Sequence, residues 1–227
     1  MFEGFPKDSI KFFKDLAKNN NRDWFAENKS RYENAVLNPA LELVTEMAAP
    51  LKKISPHFLA IPKKSGGSLM RIYRDTRFSK DKTPYKLNLG VHFRHEVGKD
   101  VHAPGFYFHI DAKEIFVGAG IWRPDSKTLN QIRRLIDDDS KRWKRIKRVK
   151  TFKSTFEIRG NTLKRPPRGY EADHPLIDDL KLKDHIALVT LKQDDIFDRQ
   201  LIDKLAKHFK TAMPYVRFLC DSIPLPS

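Results

Sequence analysis

The chain has one cysteine, Cys220, among 227 residues. A single thiol excludes an intramolecular disulfide and any structural zinc site built on thiolates. Its surroundings, "PYVRFLCDSI", read as an apolar helical segment, so Cys220 is expected to pack in the core rather than act as a nucleophile. Long apolar runs are missing too. No stretch approaches the roughly 20 residues that span a bilayer, and the first residues, "MFEGFPKDSIKFFKDLAKNN", lack the uninterrupted apolar centre of a signal peptide. A cytoplasmic protein without a membrane partner is expected.

Several chemical signatures are absent. There is no GxxxxGK[ST] phosphate loop, no HExxH and no GxSxG elbow, and "GAG" after Val117 lacks the third glycine of a dinucleotide fingerprint. "HFRH" offers His92 and His95, but an offset of three on a strand sends them to opposite faces. A site assembled from distant histidines, His102 and His109 among them, stays open, yet no metal ligand and no cofactor is assigned. Acidic residues are in short supply: 29 Asp and Glu stand against 44 Lys and Arg, for a net charge of +15. Such a surplus favours anionic partners, and any nucleic-acid binding from it alone is expected to be non-specific.

What is present suffices for a sizeable core, at 40% hydrophobic residues, and residues 1–227 are expected to form one domain. "SIKFFKDLAKNN", "RDWFAENKSRYENAVLN" and a segment entered at Pro39 carry apolar residues at helical spacing, with Pro50 expected to disturb the third helix's last turn. From Ser68 the period changes to two. "YKLNLGVHF" puts Tyr85, Leu87, Leu89, Val91 and Phe93 on one face and Lys86, Asn88, Gly90 and His92 on the other. "GFYFHIDAKEIFVGAGIW" reads as a hairpin turning near Ala112 to Glu114, its polar face holding Tyr107, His109 and Asp111, then Phe116, Gly118, Gly120 and Trp122. The glycines would admit close approach to the backbone, which makes this face the expected pocket. "DSKTLNQIRRLIDDD", the basic "SKRWKRIKRVKTFKSTF" and "DDIFDRQLIDKLAKHF" read as helices, and "HIALVTL" as a strand. The expected class is α+β: a mostly antiparallel sheet flanked by N-terminal and C-terminal helices.

The densest cation cluster is "RIYRDTRFSKDKTPYK". Read as a strand, it puts Arg71, Tyr73, Asp75 and Arg77 on one face and Arg74 on the other, so some cations must be structural; Asp75 is expected to hold one arginine in a buried ion pair. The remainder, Arg71, Arg74, Arg77, Lys82 and Lys86, with Tyr85 and Asn88 orienting, are candidates for binding an anionic small molecule or phosphate-bearing ligand. Two other readings stay open. One is a metal-independent enzyme with His92 or His109 as general acid or base, and the other a scaffold whose ion network is purely structural. The oligomeric state is left open.

That same segment resembles the motif Arg-x-x-Arg-Asp-x-Arg-Phe, followed by Lys-x-Pro-Tyr-Lys, of a bacterial family with fungal relatives classed as a domain of unknown function. "NNNRDWFAENKSRYE", "GFYFHI", "FVGAGIWRP" and "LKRPPRGYEADHPL" are similar to that family's pattern, so the likeness covers nearly the whole chain. It implies one domain and no particular activity. The basic "SKRWKRIKRVK" stretch lies outside the shared pattern, which gives the Arg71–Lys86 segment more weight than the bulk charge.

Overall fold

Helical spacing at the N-terminus produces helices, joined more tightly than expected. The fold is given by a computed structural model, which describes residues 1–98, 103–223 and 225–226; His102 lies outside them. Helix α1, Asp8–Lys18, buries Ile10, Phe12, Phe13 and Leu16 and ends in the asparagine run. Asn21 starts α2, Arg22–Glu27, its side chain accepting the Trp24 N–H at 2.9 Å, the usual capping role of a short polar residue. Helix α3, Lys29–Tyr32, passes through a π-helical turn, Glu33–Leu37, directly into α4, Asn38–Ile54. No new helix starts at Pro39. Its ring would meet the carbonyl four residues back, and the widened turn relieves that clash while the chain stays helical. Pro50 is likewise tolerated inside α4.

The sheet is antiparallel throughout, in the order β1-β2-β3-β5-β4. Its strands are β1 (Asn88–Arg94), β2 (Gly105–Asp111), β3 (Ile115–Ile121), β4 (Glu157–Arg159) and β5 (His185–Thr190). The hairpin between β2 and β3 forms where expected. Leu89, Val91, Phe93, Phe106, Phe108, Ile110, Val117 and Ala119 point to one face and are buried. Against that face lies the long C-terminal helix described below, whose Phe209 stacks on Phe106 at 4.6 Å.

Between the strands run α5 (Ser126–Asp138), α6 (Ser140–Arg148), α7 (Lys150–Thr155) and α8 (Ile177–Leu180); α9 (Leu201–Ser222) closes the chain, continuing through Pro214. The basic segment is therefore two helices broken at Val149, and Trp143 and Ile146 anchor it as expected. Cys220 is buried in α9, and burial pushes its thiol up to about 12, as an inert packing residue requires. The fold class is α+β, with helices on one face of the sheet. Among the described residues no helix is long and apolar enough to cross a membrane.

One segment departs from the alternating pattern. Residues 68–87 meet the sheet through an isolated bridge from Leu69 to Val91, and a second bridge, Tyr73 to Tyr85, joins the segment to itself. Met70 N–H donates to Gly90 O and His92 N–H to Ser68 O, so the segment covers the free edge of β1 and then loops away. The regular strand begins only at Asn88, and Leu87, expected on the buried face, is 40% exposed.

Candidate functional site

Among the described residues no helix lines the cleft on the second face of the sheet, and the strands' alternation sends a mixed set of side chains there. Asn88 and His92 come from β1, Tyr107 and His109 from β2, Phe116 from β3, and Ile186 and Leu188 from β5. Together with Met70, Lys86 and Trp122 they line a cleft of about 510 Å³. Size and lining, mostly apolar with a few convergent polar groups, are those of a small-molecule site.

Two glycines shape it. Gly90 makes room for Tyr107: a Cβ there would stand 2.5 Å from the phenol oxygen, so only glycine lets the ring lie across β1. Gly120 has φ +132°, and a Cβ on it would strike the His185 carbonyl of the paired strand. The expectation that glycine marks close approach holds, but at these two positions what approaches is the protein's own ring and backbone.

Lys86 reaches the cleft because its neighbours are fixed on the helical layer. The Asn20 side chain bonds both backbone groups of Tyr85, donating to its carbonyl at 2.9 Å and accepting from its N–H at 3.1 Å. The Tyr85 ring stacks on Phe25 at 4.0 Å, and Lys86 N–H donates to Ile72 O at 2.7 Å. The ammonium itself is half-buried and has no carboxylate in ion-pair contact among the described residues. Burial, and then the positive charge of Arg71, pull it below the ordinary lysine value.

A polar chain crosses the hairpin end of the cleft. The Tyr107 hydroxyl stands 3.2 Å from His109 Nδ1, and His109 Nε2 stands 3.1 Å from Asp111 Oδ2. Asn88 Nδ2 lies 3.5 Å from the same Nδ1, and the imidazole stacks on Phe116 at 4.5 Å. Burial pushes the Tyr107 phenol up to about 12. Burial also acts to raise Asp111, but the N–H groups of Glu114 and Lys113 outweigh it and hold the carboxyl below its ordinary range. His109, Asp111 and Glu114 each offer a donor atom, all within 4.8 Å of one another.

Of the candidates from the sequence, Lys86, Asn88, His92 and His109 meet in the cleft. Arg71 is exposed and acts on Lys86 through its charge. The others lie elsewhere. Arg74 pairs with Asp81 at 2.5 Å and also bonds Thr83; Lys82 donates to Thr76 O at 2.9 Å; the Tyr85 side chain belongs to the aromatic core. Asp75 does pair with Arg77, at 2.7 Å, but the two side chains are 53% and 77% exposed, which corrects the buried pair. The physical reason is local. Alternation assigns faces only where a ladder holds the strand, and among the described residues this loop has only isolated bridges, so Arg74 and Arg77 turn to its own Asp81 and Asp75. The motif's Phe78, 96% exposed, follows the same loop into solvent. His95, as the spacing requires, points away from His92 and is buried, its Nε2 2.6 Å from Pro226 O.

The apolar lining was not recognised in the sequence, although the signal was there: Phe116 and Trp122 alternate onto a face that an ordinary solvated sheet would make polar. Spacing places Asp111 beside His109 on this face, whereas Glu114 joins them only through the hairpin pairing.

The chain belongs to the family described as conserved hypothetical protein (DUF2461), whose model matches residues 8–218. No curated protein and no solved structure matches it significantly.

Proposed function

We propose that the cleft binds a small anionic ligand with an apolar or planar body, its carboxylate or phosphate seated on Lys86. The observation that carries this reading is Lys86 itself: a half-buried ammonium with no carboxylate partner among the described residues, facing a cavity otherwise walled by Met70, Phe116, Trp122 and Leu188. Desolvation penalises an uncompensated cation, and an anion entering the cleft would remove that penalty while its body covers apolar surface. Asn88 supplies a carboxamide for orientation.

The test is thermal shift and calorimetry on the full chain with phenyl phosphate, benzoate, inorganic phosphate and uncharged phenol. A ligand at 100 times its dissociation constant stabilises by about 2.7 kcal/mol. Lys86→Met keeps the apolar stem and removes the charge, so it is expected to weaken phenyl phosphate by about 10- to 100-fold, the worth of one charge-assisted hydrogen bond. Phenol should be unaffected. Equal shifts in wild type and Lys86→Met with every anion would overturn the reading.

A second reading is favoured by the chain of Asp111, His109 and Tyr107. With Asp111 holding the imidazole, His109 would move a proton through the Tyr107 hydroxyl to or from a bound substrate, without a metal. His92 is the other histidine on the cleft.

A further inference from the structure

We propose that His109, Asp111 and Glu114 hold a divalent first-row transition-metal ion at the hairpin end of the cleft. The site does not rest on anion binding at Lys86. It follows first from topology. Residues two apart on a strand share a face, and residues directly opposed across an antiparallel pair do as well. Asp111 and Glu114 close the hairpin opposite one another, with Asp111 N–H donating to Glu114 O at 3.1 Å, and His109 stands two residues before Asp111. An imidazole and two carboxylates are therefore sent to one side of one turn. Opposed carboxylates repel across a sheet. The ion-pair partner of Asp111 among the described residues is the imidazole and not a lysine or arginine, in a chain of net charge +15.

The donor atoms are also prepared for an ion. Asp111 Oδ1 accepts the N–H groups of Lys113 at 2.6 Å and Glu114 at 2.7 Å, which pins the carboxylate and aims Oδ2 at His109 Nε2. Their separation of 3.1 Å is a hydrogen-bond distance, and an ion would take the place of the proton between them, leaving Nδ1 as the protonated nitrogen; bonds of about 2.1 Å put donors about 3.0 Å apart at right angles and about 3.4 Å apart at tetrahedral ones. Glu114 is exposed, and its carboxylate oxygen lies within 4.8 Å of the other two donor atoms. On the far side of the ring, Nδ1 meets the Tyr107 hydroxyl, the outer hydrogen bond that fixes tautomer and orientation in metal-bound histidines. One imidazole with two carboxylates suits zinc, manganese or ferrous iron better than calcium or magnesium. Three protein donors leave positions open toward the cleft, where a ligand's oxygen could complete the shell.

The experiment uses the full chain freed of metal with EDTA and titrated with Zn²⁺ and Mn²⁺ by calorimetry, with no organic anion present, and with Co²⁺ for its visible spectrum. Wild type is expected to bind one equivalent. Glu114→Gln, at an exposed position that leaves the fold intact, should weaken binding by at least about tenfold, and His109→Gln should abolish it. The metal-free melting temperature of Glu114→Gln should equal that of wild type. Absence of stoichiometric binding overturns the site. So does binding that both variants leave unchanged, which would put the ion elsewhere, for instance on the His57–Glu96 pair. If Lys86→Met still weakens phenyl phosphate in metal-free protein while metal binding fails, only the metal site falls.

Discussion

His185 should make the protein sensitive to acid in a way that one substitution removes. It sits on β5 with no exposed surface, and neither ring nitrogen has a hydrogen-bond partner among the described residues. The edge of Trp143 lies against it, with ring centroids 6.1 Å apart. Burial lowers its pKa from the ordinary 6.5 to about 4; Asp179 and Asp184 oppose the shift, and Arg133 and Lys147 add to it. A depressed value means that the unfolded chain binds the proton more readily than the folded one. The contribution is therefore complete above pH 6.5 and is lost as the pH falls toward and through 4. At pH 5 the loss is about 2 kcal/mol, and below pH 4 it approaches roughly 3 kcal/mol. Urea unfolding at pH 8 and pH 5, on wild type and His185→Leu, measures it. The variant cannot titrate at this position, so its loss between the two pH values should be smaller by about 2 kcal/mol. Carboxylates and His208, the latter also lowered by burial, titrate in both proteins and cancel in the difference. Equal losses in the two proteins would refute the reasoning and mean that the imidazolium finds a partner inside the fold.

Other perturbations separate the motif's roles. Asp75→Ala should leave the melting temperature unchanged in a thermal scan, because its pair with Arg77 is solvent-exposed. Asn20→Ala removes both bonds to Tyr85 and should cost about 1–3 kcal/mol by urea unfolding while also weakening anion binding at Lys86, a coupling that vanishes if Asn20 only caps its own loop. Gly120→Ala should destabilise by at least about 1–3 kcal/mol in the same assay, since its φ and the His185 carbonyl both exclude a Cβ. DNA binding measured against salt should show little sequence preference and a log–log slope no steeper than about −4, because of the six cations on α6 Arg142 and Lys147 are held by Asp221 and Asp179, leaving Lys141, Lys144, Arg145 and Arg148.

The sheet was legible because period-two alternation is a direct consequence of strand geometry. Leu89, Val91 and Phe93, then Phe106, Phe108 and Ile110, needed no tertiary information to be placed on one face. The hairpin could be read for the same reason, and with it the polar face carrying Lys86, Asn88, His92 and His109. Helix boundaries were less legible. Pro39 reads locally as a start, but packing of Val36 and Leu37 into the core keeps the chain helical through a π turn. The cation cluster misled for a related reason. Alternation assigns faces only where a ladder exists, and residues 71–87 have almost none. Their arginines answer to sequence-local carboxylates, a competition that charge counting does not reveal.

The open face is lined by aromatic and apolar groups, and the Arg71–Lys86 segment divides its work around it. An antiparallel sheet with one solvated face normally presents polar residues there. Here Phe116 and Trp122 stand on that face, and the segment from Met70 to Lys86 folds over its end. Within the motif the arginines hold their own loop, while the Tyr-Lys pair performs a different task. Tyr85 docks on Phe25 and Asn20, and that docking aims the next residue, Lys86, into the cleft. Successive residues on an extended chain point to opposite sides, so a single anchored aromatic is enough to fix the direction of the lysine that follows it. Tyr85→Ala should therefore behave as a positioning defect, releasing Lys86 to solvent and weakening phenyl phosphate about as much as Lys86→Met does. Tyr85→Phe, which keeps the stack, should bind like wild type. If Tyr85→Phe instead loses binding as fully as Tyr85→Ala, the phenol oxygen and not the stacked ring is what the ligand requires.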